Sequence, residues 1–232
     1  MELHPDLVLI SNLWQIDHQC DLLRAEHEAL ANAVRAADAA VKGVEAQLSA
    51  IAVQRDDATQ RTRKNDRELA DYVDKRDRTG KMIDTGTAPD YAAAVKQLAQ
   101  VLEIVDRLET GALELMEAVE ALEEARASAQ RELESGKRAL VVARTALATR
   151  DRPVRAELTE LLESRPDAAD DVPAEYQSAY AYQRQRKRPA LVNTHEQMCQ
   201  TCQTRIPGQR IVETTLARAV HTCPGCAGWL LP

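Results

Sequence analysis

Apolar residues recur at alternating steps of three and four along the first part of the chain, from residue 13 onward. Eleven of the twelve positions of this run are apolar, counting cysteine: Leu13, Ile16, Cys20, Leu23, His27, Leu30, Val34, Ala37, Val41, Val44, Leu48 and Ile51. A sustained repeat of 3.5 residues is typical of a left-handed coiled coil, whose contact positions form a seam along one side of each helix. The pattern therefore predicts a long helix, with Cys20 as a small apolar seam residue and His27 as a polar register marker.

The same spacing continues to residue 83, but its positions become mostly polar: Arg55, Ala58, Thr62, Asn65, Leu69, Tyr72, Arg76, Thr79 and Ile83. We therefore expect a looser and better-solvated seam there. The pattern stops at residues 84–90, where Gly86 can adopt the left-handed conformation that ends a helix. Thr87 and Asp90 fit a Thr-x-x-Asp start signal, with Pro89 in the first turn of the next helix. The sequence thus predicts a reversal of the chain between two helices.

A second periodic run follows the reversal: Tyr91, Val95, Leu98, Leu102, Val105, Leu108, Ala112, Leu115, Val119, Leu122, Arg126, Ala129, Leu133, Gly136, Leu140, Ala143 and Leu147. The step from Val105 to Leu108 is three where four was due, which predicts a local register skip. Since the two runs match in length, we expect an antiparallel hairpin within one chain. Farther on, we expect Pro153 to kink or restart the helix, residues 165–173 to form a loop, and a short helix to run from Ala174 to about Arg186.

The strongest chemical signal is a pair of Cys-x-x-Cys motifs separated by 20 residues, formed by Cys199, Cys202, Cys223 and Cys226. Each such turn can supply two thiolates to a tetrahedral zinc ion. The β-branched segment Ile211–Thr215 between them is of hairpin length, so we predict a zinc ribbon with one structural Zn²⁺. Four cysteines leave no position for a water ligand, which disfavours metal-assisted hydrolysis. His195 and His221 lie nearby, but four thiolates already complete the shell.

These predictions give a mainly α fold, with a long antiparallel coiled-coil hairpin and a small C-terminal β zinc ribbon. The expected domains are the hairpin at residues 1–165, with its turn near 84–90, a linker and short helix at 166–192, and the ribbon at 193–232. Phe is absent and aromatic residues make up 3% of the chain, which favours an elongated helical body over one globular core. We expect the terminal apolar segment from Trp229 to Pro232 to pack against the ribbon or the hairpin base.

Composition also limits the function classes. No run approaches the roughly 20 apolar residues that span a bilayer, and the N-terminus has no basic or apolar signal region. We therefore expect a cytoplasmic protein without membrane insertion, in which cysteines stay reduced. Nucleotide-binding glycine loops, the Gly-x-Ser-x-Gly elbow and the His-Glu-x-x-His zinc motif are all absent from the sequence, so we expect no enzyme.

The formal charge of −7 is unevenly distributed. Residues 176–232 contain seven basic and two acidic residues, a net +5, so the first 175 residues carry −12. The candidate contacts for a partner or a nucleic acid are aromatic and basic: Tyr180, Tyr182, Arg184, Arg186, Lys187, Arg188, Arg205, Arg210 and Arg218. One interpretation is a protein adaptor that docks through the ribbon or through the polar tip at residues 55–82. The alternative is RNA or DNA binding through the basic head, by phosphate neutralisation and base stacking.

The arrangement resembles a bacterial family that pairs a coiled-coil hairpin with a C-terminal four-cysteine zinc ribbon. Besides the four cysteines, the resemblance is carried by Leu13–Asp17, Pro89–Tyr91, Leu108–Glu117 and Pro173–Tyr176. It implies a flagellar or type III secretion regulator that binds the nitrogen-type alternative sigma factor and, in one lineage, messenger RNA. One departure is that the family usually has Gly-Arg-Ile-Leu-Tyr after the last cysteine, where this chain has Ala-Gly-Trp-Leu-Leu-Pro. The sequence leaves open whether the protein is a monomer or a homodimer.

Overall fold

A computed structural model describes residues 2–231 of the chain. Two long helices, α1 (Pro5–Asp84) and α2 (Tyr91–Asp170), form a hairpin. They are followed by α3 (Ala174–Gln185), β1 (Leu191–His195), β2 (Met198–Cys199), α4 (Gly208–Thr215) and β3 (Trp229–Leu231). The mainly helical fold with a hairpin and a small C-terminal sheet is thus confirmed. Among residues 2–231, no helix is both long enough and apolar enough to cross a bilayer.

The chain forms two compact units. One comprises residues 33–144, and the other combines the residues up to Asn32 with those from Thr145 onward. We refer to the first as the hairpin unit and to the second as the base unit. Each is described by itself below.

The seam of α1 lies where the apolar spacing predicts it. Every predicted seam position from Leu13 to Ile83 is buried or half-buried, and most residues between them are exposed. Within the hairpin unit the polar part of the seam makes specific contacts instead of apolar ones. Asn65 Nδ2, for example, donates a hydrogen bond of 2.9 Å to the carbonyl oxygen of Leu108 on α2. A half-buried amide that is paired in this way favours one register of the two helices.

The seam of α2 differs from the prediction close to the turn. The covered positions there are Ala94, Leu98, Val101, Val105 and Leu108. Tyr91, Val95 and Leu102 are 62%, 44% and 48% exposed, and the predicted seam residue Arg126 is also exposed. The covered positions follow steps of four and three without interruption, so the predicted register skip at Val105 is wrong.

The reversal between the helices lies at the predicted residues. Gly86 has a φ of 65°, in the left-handed region. Its N–H donates to Ile83 O at 3.2 Å, and the N–H of Thr87 donates to Met82 O at 3.0 Å, which is the Schellman ending of a helix. Asp90 Oδ1 accepts the N–H of Ala93 at 3.0 Å. Asp90, and not Thr87, is therefore the N-cap of α2, and Pro89 precedes the helix.

In the base unit, α2 runs through both Pro153 and Pro166 to Asp170. Of the predicted kink or restart at Pro153, the restart does not occur. The predicted loop at residues 165–173 is wrong for residues 165–170, and only residues 171–173 lie between α2 and α3. An interior proline costs a helix about 3 kcal/mol, so tertiary contacts have to outweigh it. Val154 is 1% exposed, and Ala168 and Ala169 pack against a buried cluster. These contacts hold the helix together beyond the two prolines.

That buried cluster joins the start of α1 to the C-terminal part of the chain. Its fully buried members are Leu7, Ile10, Leu13, Val172, Tyr180, Ala190 and Trp229. Trp229 is 1% exposed, and the next residue, Leu230, lies in a second cluster with the cysteines. The predicted burial of the terminal apolar segment is thus confirmed for Trp229 and Leu230. Pro232 lies outside the described residues.

The C-terminal sheet has the order β2-β1-β3. Strand β1 pairs antiparallel with β2, opposite Cys199 and Met198, and parallel with β3. The segment Ile211–Thr215, predicted as part of a β-hairpin, lies instead in α4. Ile211 packs against the cysteine cluster, and the hydroxyl of buried Thr214 donates to Arg210 O at 2.8 Å. A threonine that bonds back four residues is compatible with a helix, so one-sided burial outweighs the preference of β-branched residues for strands.

Candidate metal centre and basic surface

The two Cys-x-x-Cys turns close in the same way. The N–H of Gln203 donates to Cys199 O at 2.8 Å, and the N–H of Ala227 donates to Cys223 O at 2.9 Å. Gln203 and Ala227, each directly after the second cysteine of its turn, both have a φ of 59°. This repeated geometry turns both cysteines of a motif toward the same side. The second strand carries Cys199, and the approach to β3 carries Cys223 and Cys226.

The four sulfurs form a compact set, with all Sγ atoms within 4.8 Å of one another. The Sγ atoms of Cys199 and Cys226 are 3.8 Å apart, and those of Cys202 and Cys223 are 3.5 Å apart. A disulfide would bring two sulfurs to about 2.05 Å, so these are free thiols. In a tetrahedral site with zinc–sulfur bonds of about 2.3 Å, the sulfurs are about 3.8 Å apart. The four cysteines could therefore hold a metal ion.

The four thiols differ in burial and in hydrogen bonding, and so in pKa. Cys199 and Cys223 are 0% and 1% exposed, in a cluster with Val192, Ile206 and Leu230. Burial raises the pKa of Cys223, and it raises the pKa of Cys226 to about 12. Hydrogen bonding with the hydroxyl and the backbone of Thr204 lowers the pKa of Cys202 to about 6. Metal binding needs all four sulfurs as thiolates, so a cation at their centre would compensate the charge that burial disfavours.

Gly225 allows the two turns to approach each other. A Cβ atom at this position would lie 2.1 Å from Thr204 Oγ1, 2.9 Å from Thr204 Cβ and 3.1 Å from Cys202 Sγ. The first two distances are shorter than real Cβ contacts, so a side chain at residue 225 would force Thr204 and the first turn to shift. The spacing of the cysteines gives no sign of this requirement.

Two of the predicted surface contacts have structural roles in the base unit. Tyr180 is 3% exposed, and its hydroxyl donates to Asp17 Oδ2 at 2.9 Å. It is therefore a core residue, and its prediction as a stacking platform for bases is corrected. Arg184 Nη1 lies 2.5 Å from Asp21 Oδ2, and Arg184 Nε lies 3.4 Å from Asp17 Oδ2. The charge of Arg184 is thus largely neutralised by carboxylates of α1.

The other predicted contacts fall into two places. At the C-terminal end of α3, Tyr182, Arg186, Lys187 and Arg188 are all exposed, and the Arg186 guanidinium lies 4.6 Å from the centre of the Tyr182 ring. Within the ribbon, Arg210 Nη1 donates to Thr222 O at 3.1 Å and Arg205 Nη2 donates to Gln197 Oε1 at 3.4 Å, while Arg218 is exposed. Only the first place brings an aromatic ring and several cations together.

The sequence analysis missed a set of residues that joins the helices of the base unit. Asp17, 4% exposed, accepts hydrogen bonds from Arg165 Nε at 2.7 Å and Nη2 at 3.1 Å. Gln183 Nε2 donates to Ala227 O at 2.7 Å, so α3 is tied to the second cysteine turn. The available signal was the position of Asp17, one residue after a seam position. No spacing could identify its partner, which is 148 residues away.

A family model, the CT398-like coiled coil hairpin domain, matches residues 11–188 of the chain. No curated protein sequence matches this chain significantly. Among solved structures, CT398 from Chlamydia trachomatis is similar at a TM-score of 0.70 and 14% identity, with 98% of each chain covered. The HP0958 protein of Helicobacter pylori gives 0.62 and 14%, covering 100% of this chain and 98% of its own. A protein from Mycobacterium smegmatis gives 0.53 and 19%, with 95% and 94% covered. At these identities the likeness concerns the fold alone.

Proposed function

The chain belongs to the CT398-like coiled coil hairpin domain family, and from this premise we propose that it is a non-catalytic adaptor with a structural zinc ion. In this proposal Cys199, Cys202, Cys223 and Cys226 hold one Zn²⁺, and the hairpin presents a surface to a protein partner. Each part can be tested separately, because the metal site and the partner surface are formed by different residues in different compact units.

The identity of the metal as zinc is supported by the chemistry of the donor set. Four thiolates suit a soft or borderline ion, and the sulfur separations of 3.5 and 3.8 Å are those expected around a tetrahedral zinc ion. A four-cysteine shell leaves no position for a substrate or a water, so the ion stabilises the fold and takes no part in a reaction. Elemental analysis of protein purified under reducing conditions tests this. One zinc per chain is expected, and a chain without metal would contradict the assignment.

The adaptor function is supported by exposed apolar side chains on α2 of the hairpin unit. Val95, Leu102 and Met116 are 44%, 48% and 54% exposed and are spaced by seven and fourteen residues, with Glu109 at the intervening heptad position. They therefore share one side of the helix, next to the seam. Large apolar side chains repeated along one side of a helix are typical of a surface that another protein covers. This stripe is the observation on which the adaptor proposal depends.

By the resemblance described above, the partner is an alternative sigma factor or a component of a secretion or flagellar system. We propose that it packs a helix against the stripe, since apolar positions at heptad spacing suit a helical partner, and Glu109 between them could pair with a basic residue of that helix. A second copy of the chain could also cover the stripe with its own apolar side chains. Light scattering distinguishes such a homodimer from a monomer that binds another protein.

A photo-crosslinking residue at position 102 provides the test. Benzoylphenylalanine in place of Leu102 is expected to capture the partner in cells, whereas the same group in place of exposed Gln100 is not. The captured protein is then purified, and its binding to wild-type protein is compared with binding to Leu102→Glu and Gln100→Glu. Because Gln100 lies on another side of α2, its variant carries the same added charge away from the stripe. Equal binding by both variants would refute the stripe as the docking surface.

A second function, binding of RNA or DNA, is favoured by the exposed group at the end of α3. Tyr182, Arg186, Lys187 and Arg188 combine an aromatic ring with three cations. A salt titration of binding to mixed RNA and to duplex DNA tests it. We expect a log–log slope of several units that is reduced when Arg186, Lys187 and Arg188 are changed to Ala. If neither RNA nor DNA binds at low salt, this second function is refuted and only the adaptor function remains.

A further inference from the structure

A pocket in the base unit lies between the first part of α1 and the end of α3. Its volume is about 570 Å³, within the range of small-ligand sites. It is lined by Trp14, His18, Asp21, Arg184, Lys187 and Arg188. Neither the cysteine centre nor the apolar stripe on α2 includes any of these residues. An aromatic pair therefore faces a group of cations. Two of these cations, Lys187 and Arg188, also belong to the exposed group proposed above for RNA or DNA binding, whereas Trp14 and His18 do not.

The aromatic side of the pocket is a stacked pair. The rings of Trp14 and His18, one helical turn apart on α1, have centroids 4.7 Å apart and planes inclined by 8°. Trp14 is half-buried against the apolar cluster, whereas His18 is exposed. A flat ring that enters the pocket can continue this stack against His18. Stacking of a base on such a platform contributes about 1–3 kcal/mol.

The cations of the pocket differ in whether a carboxylate of the protein neutralises them. Arg184 is paired with Asp21, so these two charges largely offset each other. Among the described residues, no carboxylate lies within 4.0 Å of the side-chain nitrogens of Lys187 or Arg188. Both residues are exposed. Two cations beside an aromatic stack suit a ligand that combines a flat ring with a phosphate.

The backbone conformation of Lys187 makes glycine a tolerated substitute at this position. Its φ of 51° is in the left-handed region, and it occupies the Schellman position where α3 ends. Its N–H donates to Arg184 O at 3.0 Å, and the N–H of Arg188 donates to Gln183 O at 3.0 Å. Glycine is the usual residue here, and another residue costs about 1–2 kcal/mol. A glycine at residue 187 would therefore preserve the end of the helix while removing the cation.

We propose that this pocket binds a nucleotide, with the base stacked on the Trp14–His18 pair and its phosphates on Lys187 and Arg188. The shared chemistry is a base and a phosphate, which either a free nucleotide or one unit of a single-stranded nucleic acid supplies. This inference is independent of the adaptor function, because neither zinc content nor partner capture at residue 102 depends on the pocket. It deepens the proposed binding of RNA or DNA, with which it shares Lys187 and Arg188. Trp14 and His18 belong to the pocket alone, so binding that is lost in the triple alanine variant but unchanged in His18→Ala would support the exposed group and overturn the pocket.

The test uses the whole 232-residue chain, loaded with zinc, and its tryptophan fluorescence. The chain has two tryptophans, and Trp229 is 1% exposed, so a ligand on the stack acts on Trp14. ATP and a hexamer of riboadenylate are the two probes. Tripolyphosphate, which lacks the base, is the control ligand. We expect saturable quenching that is absent in Trp14→Phe, with tripolyphosphate binding at least tenfold more weakly than ATP.

The decisive variant is Lys187→Gly. It removes a cation of the pocket and relieves the left-handed backbone, so we expect the melting temperature to stay equal or rise while the Kd for the better probe increases at least tenfold. His18→Ala should weaken the same probe without weakening tripolyphosphate. Arg218→Ala removes an exposed arginine that does not line the pocket, and its Kd should match that of the wild type.

The two probes identify the source of the ligand. If ATP binds more tightly, the ligand of the pocket is a free nucleotide. If the hexamer binds more tightly, the ligand is a single-stranded nucleic acid. The proposal is overturned if neither probe quenches Trp14 at millimolar concentration. It is also overturned if tripolyphosphate binds as tightly as ATP, or if Lys187→Gly binds both probes as the wild type does.

Discussion

At the scale of single residues, Gly225 controls how closely the two cysteine turns approach. The substitution Gly225→Ala would place a methyl group 2.1 Å from Thr204 Oγ1 and 3.1 Å from Cys202 Sγ. We expect weaker zinc binding and a loss of about 1–3 kcal/mol in the ribbon's free energy of unfolding. Zinc affinity from a chelator competition and the melting temperature measure the two effects.

Gly43→Ala is the matched control for this substitution. A Cβ on Gly43 meets nothing within 4 Å, and the residue lies inside α1. The same change should therefore leave zinc affinity unaltered and stabilise the helix by about 0.5–1 kcal/mol. A Gly225→Ala protein that binds zinc like the wild type would show that the close approach is not required.

Tyr180 gives the base unit a specific response to high pH. Burial, and then its hydrogen bond to Asp17, raise the pKa of Tyr180 far above the usual value of about 10. The folded state therefore holds this proton more tightly than the unfolded state does. The resulting stability is complete below pH 10 and is lost as the pH rises above it. Denaturant unfolding of the wild type should show this decline.

Tyr180→Phe separates the hydrogen bond from the titration. We expect it to lose about 1.5–3 kcal/mol at neutral pH, because a bond to a carboxylate is removed, and to decline less above pH 10. Tyr182→Phe, at a 46% exposed position, should leave both values unchanged. Tyr176 has a pKa that burial also raises, and it remains in both variants. Parallel pH curves for Tyr180→Phe and the wild type would contradict the assignment.

The residues that sequence reasoning identified correctly are those whose chemistry is local. Two cysteines separated by two residues form one turn whatever the rest of the fold does, so the grouping of the four sulfurs could be predicted. The role of Tyr180 could not, because its partner Asp17 is 163 residues away. Tyrosines and arginines close together in sequence looked like one surface, but Tyr180 and Arg184 face carboxylates on α1.

At the scale of elements, the register of α2 near the turn can be tested with two neighbouring residues. Val101 is 2% exposed and Leu102 is 48% exposed. Val101→Ala should lower the free energy of unfolding by about 2 kcal/mol, because two buried methyl groups are lost. Leu102→Ala removes more atoms but should change stability little. Chemical denaturation of both variants measures the free energy of unfolding. A larger loss of stability for Leu102→Ala than for Val101→Ala would show that Leu102 faces α1, as the predicted register skip requires.

The same pair explains why periodicity alone gave the wrong register. Near the turn, apolar residues occupy three positions per heptad of α2, so two overlapping seams fit the sequence, and only one of them faces α1. On α1 a single seam fits, and every predicted position is covered. The prolines of α2 and the β-branched residues of α4 misled for a related reason. Both are local preferences, and the contacts that outweigh them come from distant parts of the chain.

At the scale of the whole molecule, the metal and the helices should contribute separable parts of stability. Residues 191–231 contain a buried cluster of only five residues, and two of these are Cys199 and Cys223. A segment of about 40 residues buries too little apolar surface to fold by this means alone. Without the ion, the free energy that holds its two cysteine turns together is lost. The long helices α1 and α2 have their own seam and do not depend on the cysteines.

We therefore expect a chelator to unfold residues 191–231 while most of the helical signal in far-UV circular dichroism persists. Trypsin reports the change, because Arg205, Arg210 and Arg218 all lie in this segment and should be cut rapidly only after zinc is removed. Added zinc should restore protection, and Cys202→Ser should show the unprotected pattern without chelator. Cys20→Ser replaces a seam cysteine that is no ligand and should retain protection. If the three arginines stay protected in the metal-free protein, the ribbon is held by packing against its buried neighbours, and the ion would have a purpose other than folding.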